Sequence, residues 1–240
     1  MFGRASLTKG SLFIVGFPLL WACTSNVSRL DNERASDTLA VQPDSLASQD
    51  VDLFFAKING TPSLGDYGTT NGGQRPCASA GAYDKNTVYR SLIRFDLSSI
   101  PENAEVLSAT LIFHVQGWYT KDLTDTVTLV GHKILKSWKE GTGAAACTEG
   151  PTTENSALVN GATAQERYWT SDSSARWNQI GVALDGQDAD SAYSTSLKIP
   201  YGDTGAVAFD ITSLAAAWVA DSVSNYGLLL RNLVEVTTAS

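Results

Sequence analysis

Six side chains of this 240-residue sequence have types and spacing that could hold an anionic ligand: Arg90, Arg94, His114, Gln116, Trp118 and His132. Guanidiniums make forked, charge-assisted hydrogen bonds to carboxylates. An indole offers a flat apolar surface for a sugar ring, and the imidazoles and the amide add directional donors and acceptors. The strand period collects these groups. In Arg90–Pro101, RSLIRFDLSSIP, Ile93, Phe95 and Leu97 fall on one face and Arg90, Leu92, Arg94 and Asp96 on the other. In Val106–Trp118 the apolar set is Leu107, Ala109, Leu111, Phe113 and Val115, and Ser108, Thr110, His114, Gln116 and Trp118 lie opposite. A third strand, Thr126–Leu135, follows a turn at Thr120–Asp125. If that turn centres on Leu123, Gly117 faces Leu129 and His114 faces His132, so the chain's 2 histidines become neighbours. Two polar groups on a solvated sheet face fit that pairing better than a metal site, which needs more ligands than two imidazoles. For the arginines the plainer reading is that they blunt a solvated sheet, pair with Asp96 or lie under a loop.

Other chemistry is sparser. Asp185, Asp188 and Asp190 in LDGQDAD could offer oxygens to a structural Ca²⁺, although the segment lacks EF-hand spacing and a solvated acidic loop competes with that reading. There is no G-x-S-x-G, H-E-x-x-H or Gly-rich phosphate loop. A carboxylate pair from distant loops remains open, but no residue takes a catalytic role, and the expectation is a protein that is not an enzyme.

The elements that must position these residues are strands. The Arg90 and Val106 strands are not stable alone and need another sheet over their apolar faces, which predicts an all-β sandwich. Further strands are expected at Val51–Lys57, where adjacent Phe54 and Phe55 send at least one ring outside the main core or under a loop, and at Leu197–Ile199, Ala206–Ile211 and Tyr226–Asn232. A helix over Leu214–Ala220, capped by Thr212 or Ser213, turns Leu214, Ala217 and Trp218 to one side to close an open end of the sandwich. The segment 163–181 reads as a short helix with loop. Gly60–Asp84 is a long Gly-rich connection, and connections of that length carry function or are pinned by a cross-link. Cys77 sits there, and Cys147 sits in a second long loop. In an exported protein the two form an even pair and a candidate disulfide, with two unpaired thiols as the alternative.

The N-terminus reads as a signal peptide over residues 1–22: Arg4 and Lys9 without an acid, then the short apolar run Ser11–Ala22. That run falls short of the ~20 residues a membrane-crossing helix needs. Leu20-Trp21-Ala22-Cys23 resembles the bacterial lipobox, in which cleavage precedes a cysteine that carries a diacylglyceryl group. Trp21 departs from the small residue of that pattern, which leaves ordinary secretion with an incidental Cys23 as the alternative. Residues 23–49, rich in Ser, Asp, Asn and Ala, read as a flexible tether. Removing Arg4 and Lys9 from 17 basic residues leaves 15 against 25 acidic ones, a balance that argues against nucleic acid as a partner.

Several segments, in order, carry a family resemblance: Asp66-Tyr67-Gly68; RFDLSSIP followed by Ala104-Glu105-Val106-Leu107-Ser108-Ala109-Thr110-Leu111; Ser137-Trp138-Lys139-Glu140-Gly141; Phe209-Asp210-Ile211-Thr212-Ser213-Leu214 with Trp218; and Asn225-Tyr226-Gly227-Leu228-Leu229-Leu230. Together they resemble the DNRLRE (disaggregatase-related) domain from Val51 to about Asn232. The resemblance implies an extracellular, jelly-roll-like β-sandwich related to polysaccharide-binding modules, some acting on uronic-acid polymers. It places one domain at 50–240, and because the family usually continues into another strand, it also implies that a final strand is lacking. The expected protein is therefore an exported, lipid-anchored module of the bacterial cell envelope whose partner is a polysaccharide or other surface glycan. The alternatives are a structural or adhesive surface protein and, behind it, a polysaccharide-degrading enzyme.

Overall fold

The computed structural model describes residues 12–15, 21–27, 35–41, 48–58, 61–65, 68–75, 77–82, 87–101, 104–117, 126–143, 161–169, 174–192 and 194–235, the first three segments by backbone alone. Strands run Leu12–Val15 (β1), Trp21–Val27 (β2), Ala35–Val41 (β3), Ser48–Ile58 (β4), Thr61–Ser63 (β5), Ala78–Ala82 (β6), Thr87–Phe95 (β7), Glu105–Gly117 (β8), Thr126–Lys133 (β9), Glu166–Trp169 (β10), Ser174–Arg176 (β11), Thr195–Pro200 (β12), Gly205–Asp210 (β13) and Leu228–Asn232 (β14). The α-helix is Thr212–Ala220 (α1). The expected strands recur with shifted ends, and β5 and β6 form within Gly60–Asp84, where the sequence suggests a connection. The segment 163–181 holds the β10–β11 hairpin where a short helix was expected, and backbone strands β2 and β3 pair where the sequence suggests a tether.

The strands form an all-β sandwich. One sheet runs β5-β4-β7-β14-β9-β12, every neighbour antiparallel. The second is centred on β8, with β13 along one edge and β1 and β2 along the other. β6 pairs with both β7 and β1 and joins the layers. Alternation sets the inner faces as expected: Ile93, Phe95 and Leu97 meet Ala109, Leu111, Phe113 and Val115, with Val127, Leu129, Ile199, Phe209, Leu228 and Leu230 completing the core. Leu107, at the end of that row, is 48% exposed. α1 closes an end of this core through Leu214, Ala215, Trp218 and Val219. Its cap differs from expectation. Ile211 occupies the cap position without a side-chain acceptor, and Asp210 Oδ1 accepts from Thr212 N (2.9 Å) and Thr212 Oγ1 (2.6 Å) instead.

The β8–β9 hairpin is corrected. β8 and β9 lie in different sheets, and β9 pairs with β12 and β14. Each strand carries an apolar row, and placing the two rows face to face across the core buries both, whereas one hairpin would leave the same face of both strands needing a cover.

The outer face of the β4–β7–β14–β9 sheet is buried as well. Register aligns Val51, Leu92, Leu229 and His132 across four strands, and Leu53 with Arg90 one step along. A second core covers them: Ile134, Trp138, Ala162, Ala164, Trp177, Val182 and Ala189, all from the long connections after β9, pack on Val51, Leu53, Phe55, Val88, Leu92 and Leu229. Phe55 is thus under a loop, as expected, while Phe54 on the other face meets Tyr89 edge-on at 5.3 Å.

Polar side chains fix the path of this cover. Buried Asn71 donates from Nδ2 to the carbonyls of Glu140 and Ala162 (both 2.7 Å), and its Oδ1 accepts from Gly143 N (2.8 Å) and Gly73 N (3.2 Å). Only glycine fits around it: a Cβ at Gly161 would stand 2.3 Å from Asn71 Nδ2, and one at Gly143 2.1 Å from Asn71 O. Asn71→Ala strands two buried carbonyls and two N–H groups at about 1–3 kcal/mol each where water cannot replace the amide. Urea unfolding should show a loss of several kcal/mol, and limited proteolysis should cut first within 136–190. Asn71→Asp, which keeps the acceptor and loses both donors, should fall between the two.

Candidate functional site

Of the six residues expected on one ligand face, the five that are described divide between two surfaces. Arg90, Arg94 and His132 share the outer face of the β4–β7–β14–β9 sheet, as alternation requires. His114 is exposed and Gln116 half-buried on β8 in the other sheet, and Trp118 lies outside the described residues. Sequence parity fixes which side of a strand a residue takes but not which sheet the strand joins.

Arg90 is closed to a ligand. Its Nε and Nη2 donate to the two carboxylate oxygens of Glu235, each at 2.7 Å. Its Nη1 donates to Gly181 O and, at 3.0 Å, to Val182 O. The guanidinium also lies 5.0 Å from the Phe55 ring centroid. Gly181 and Val182 both have positive φ, 79° and 75°, so the arginine meets two carbonyls turned inward by an unusual local backbone.

His132 is equally committed. Arg231 Nε donates to His132 Nε2 (3.2 Å), which places the ring proton on Nδ1, where it is shared with Asp190 O (2.9 Å). Burial lowers the imidazole pKa below its ordinary value; the Asp190 carbonyl opposes that, and the Arg231 and Arg90 charges reinforce it.

The acidic loop is a structural tie. Asp188 is fully buried. Its Oδ2 accepts from Asn178 N (2.6 Å), Ala183 N (3.0 Å) and Gln179 N (3.3 Å), and its Oδ1 faces Lys136 Nζ at 2.8 Å. Exposed Asp185 accepts from Asn178 Nδ2 and Gln187 N, and Asp190 offers its carbonyl to His132. Asp185 and Asp188 meet at Asn178, one through its side-chain amide and the other through its backbone N–H, and among the described residues no group of three or more His, Cys, Asp or Glu converges on one point.

Arg94 sits differently. It is cross-strand from Gln49, donates to Gln49 Oε1, and lies 5.5 Å from the Trp138 ring centroid. Trp138 is 2% exposed and anchored by Nε1 to Tyr226 O (2.8 Å), so it forms a floor that orients the guanidinium. Half-burial disfavours the Arg94 charge, and Asp96 and Glu140 favour it. Around it opens a cleft of about 530 Å³ lined by Gln49, Arg94, Trp138, Lys139, Glu140, Gly141 and Thr142. Lys139 and Glu140 lie in the Trp138–Gly141 motif and Thr142 follows it, but nothing in the sequence marks these three as ligand groups. Cys77 is buried, and Cys147 and the side chain of Cys23 lie outside the described residues.

Comparison with protein-family models, curated proteins and solved structures finds no match to the chain.

The state of His132 sets a pH dependence. Its folded pKa is lowered from 6.5, so folding disfavours imidazolium. Stability is full above about pH 6.5, where both states are neutral, and falls as pH drops from there through the folded value. Urea midpoints measured through this window should decline with acid in the wild type, and the His132 contribution to that slope should vanish in His132→Gln.

Proposed function

We propose that this chain is an exported, lipid-anchored cell-surface protein, resembling DNRLRE domains, whose sandwich binds an acidic polysaccharide without cleaving it. The observation that carries the reading is the Arg94 cleft. The chain has a formal charge of −8, so an anionic polymer is repelled by the average surface and docks where cations stand in an open concavity. Arg94, held by Gln49 and Trp138, presents a preorganised fork to a carboxylate. Lys139 adds a second cation. Glu140 and Thr142 supply an acceptor and a hydroxyl for sugar hydroxyls.

Export and anchoring rest on the basic start, the short apolar run and the Leu20–Cys23 sequence, and cleavage before Cys23 removes β1 and the first two residues of β2 from the edge of the β8 sheet. A Cys77–Cys147 disulfide is supported by the burial of Cys77. Its loop is already tied to the partner loop by Gln74 N to Gly143 O at 2.8 Å, three residues before one cysteine and four before the other.

Calorimetric titration with oligogalacturonates at rising salt tests the cleft. Wild-type affinity should weaken with salt, and Arg94→Ala should lose roughly 10- to 100-fold, as expected for a charged hydrogen bond of about 1.5–3 kcal/mol. Equal affinity for a neutral oligosaccharide would sink the reading. Mass measurement of the mature N-terminus should find a diacylglyceryl group on Cys23, lost in Cys23→Ser. Non-reducing peptide mapping should recover Cys77 joined to Cys147, a closure that contributes about 2–4 kcal/mol.

A further inference from the structure

A second group of cations adjoins the cleft. Lys139 lines the cleft with Arg94, yet its Nζ lies 5.5 Å from the centroid of the Tyr168 ring on β10. Arg167 lies over the same ring at 5.6 Å. The two segments are fixed to each other, because Lys139 N donates to Arg167 O at 3.1 Å. Arg167 is also held in place: its Nη1 donates to Ser137 O (2.7 Å) and Ser137 Oγ (3.3 Å), and its Nε to Arg176 O (3.4 Å). The tyrosine's negative ring face offsets the repulsion of two cations brought to one place. Arg176, the next cation along the hairpin, faces Glu166 at 3.7 Å and is 64% exposed. Arg94 and Lys139 in the cleft and Arg167 beside it stand against Glu140 and Asp96, a small local excess of positive charge on an acidic chain.

We propose that the Arg94 cleft continues over Lys139 into a second anionic subsite at Arg167 and Tyr168, so that the ligand is an extended acidic polysaccharide gripped at two points. The inference rests on the function proposed above and adds to it the length and charge spacing of the ligand. Both faces of the tyrosine need not be free, since its ring serves the cations. Recognition along the track is by charge, which a polymer with a carboxylate on every unit satisfies and a single sugar does not. Binding at two linked points makes the second contact intramolecular and raises affinity without further contacts. Single-stranded nucleic acid also repeats its charge, but base recognition needs aromatic platforms open for stacking. Here Trp138 is buried and Tyr168 lies beside two cations.

The test is titration of the full chain with oligogalacturonates of increasing length, from the monomer upward. Affinity should rise steeply until the chain spans both subsites and then level off. Arg167→Gln should weaken the long oligomers at least tenfold, flatten the length dependence and leave the shortest binding oligomer unaffected, whereas Arg94→Ala should weaken all lengths. Tyr168→Leu, which removes the ring under both cations and keeps the Ser137 anchor, should flatten the length dependence in the same way. If long-oligomer affinity is unchanged in both Arg167→Gln and Tyr168→Leu while Arg94→Ala abolishes binding, the second subsite is overturned and the cleft stands. No binding at any length by the wild type would overturn the proposed function itself. Equal affinity for an oligonucleotide of the same charge would overturn the polysaccharide.

Discussion

The strand β7 is buried on both faces, and much of the structure follows from covering it. On its inner side Ile93 and Phe95 meet the β8 sheet. On its outer side Val88 and Leu92 continue an apolar row that spans β4 and β14. A sandwich of two sheets covers one face of each, so the outer row requires something further, and the long connections after β9 supply it. The described parts of those connections are therefore not excursions into solvent. They form a third layer whose tryptophans, Trp138 and Trp177, and small residues, Ala162, Ala164 and Ala189, fill a core of their own.

That third layer lands on a face carrying charge, which is costly unless each charge is paired. Arg90 recruits Glu235 from beyond the last strand and two carbonyls from the Gly181 turn. Arg231 faces both His132 and, at 3.9 Å, Glu235. The inner face has a corresponding knot at its β6 end, where buried Asp52 pairs with Arg75 and accepts from Ser79 N at 3.0 Å; burial raises its pKa, opposed by Arg75 and the serines. Hydrophobic burial gives the third layer its free energy, and these directional partners give it one path.

The residue alternation within each strand was legible from the sequence alone. Arg90, Leu92 and Arg94 do oppose Ile93, Phe95 and Leu97, and the β8 row is inward from Ala109 to Val115, with Leu107 exposed at its end. The partnership of strands was not, because a hairpin and an inter-sheet connection leave the same apolar period in the flanking strands; His114 and His132 were separated by that ambiguity. The burial of the arginine face was also hidden. A strand covered by loops reads like one covered by water when its outer residues include arginine, and the partners that decide the matter, Glu235 and the carbonyls at Gly181 and Val182, lie far along the chain and partly in backbone atoms. Asn71 carries no motif at all, since its four bonds are to main-chain groups whose positions only the fold defines.

The same accounting separates the arginines of the outer face by role. A guanidinium has five N–H donors in a fixed fork. Arg90 directs four hydrogen bonds to a carboxylate and two carbonyls inside the protein, so a ligand reaching it would have to displace a buried carboxylate and leave Glu235 uncompensated. Arg94 lies one register pair beyond the end of the apolar row, where, among the described residues, the third layer stops at Glu140–Thr142 and the cleft begins. Its protein partners are an amide and an indole, neither of which neutralises it, and the carboxylates that favour its charge, Asp96 and Glu140, are exposed or half-buried. A carboxylate arriving from solvent at Arg94 gains a charged partner without breaking one. The difference comes from where the cover ends, which makes the edge of the third layer, rather than the arginine-bearing strand itself, the feature that defines the site.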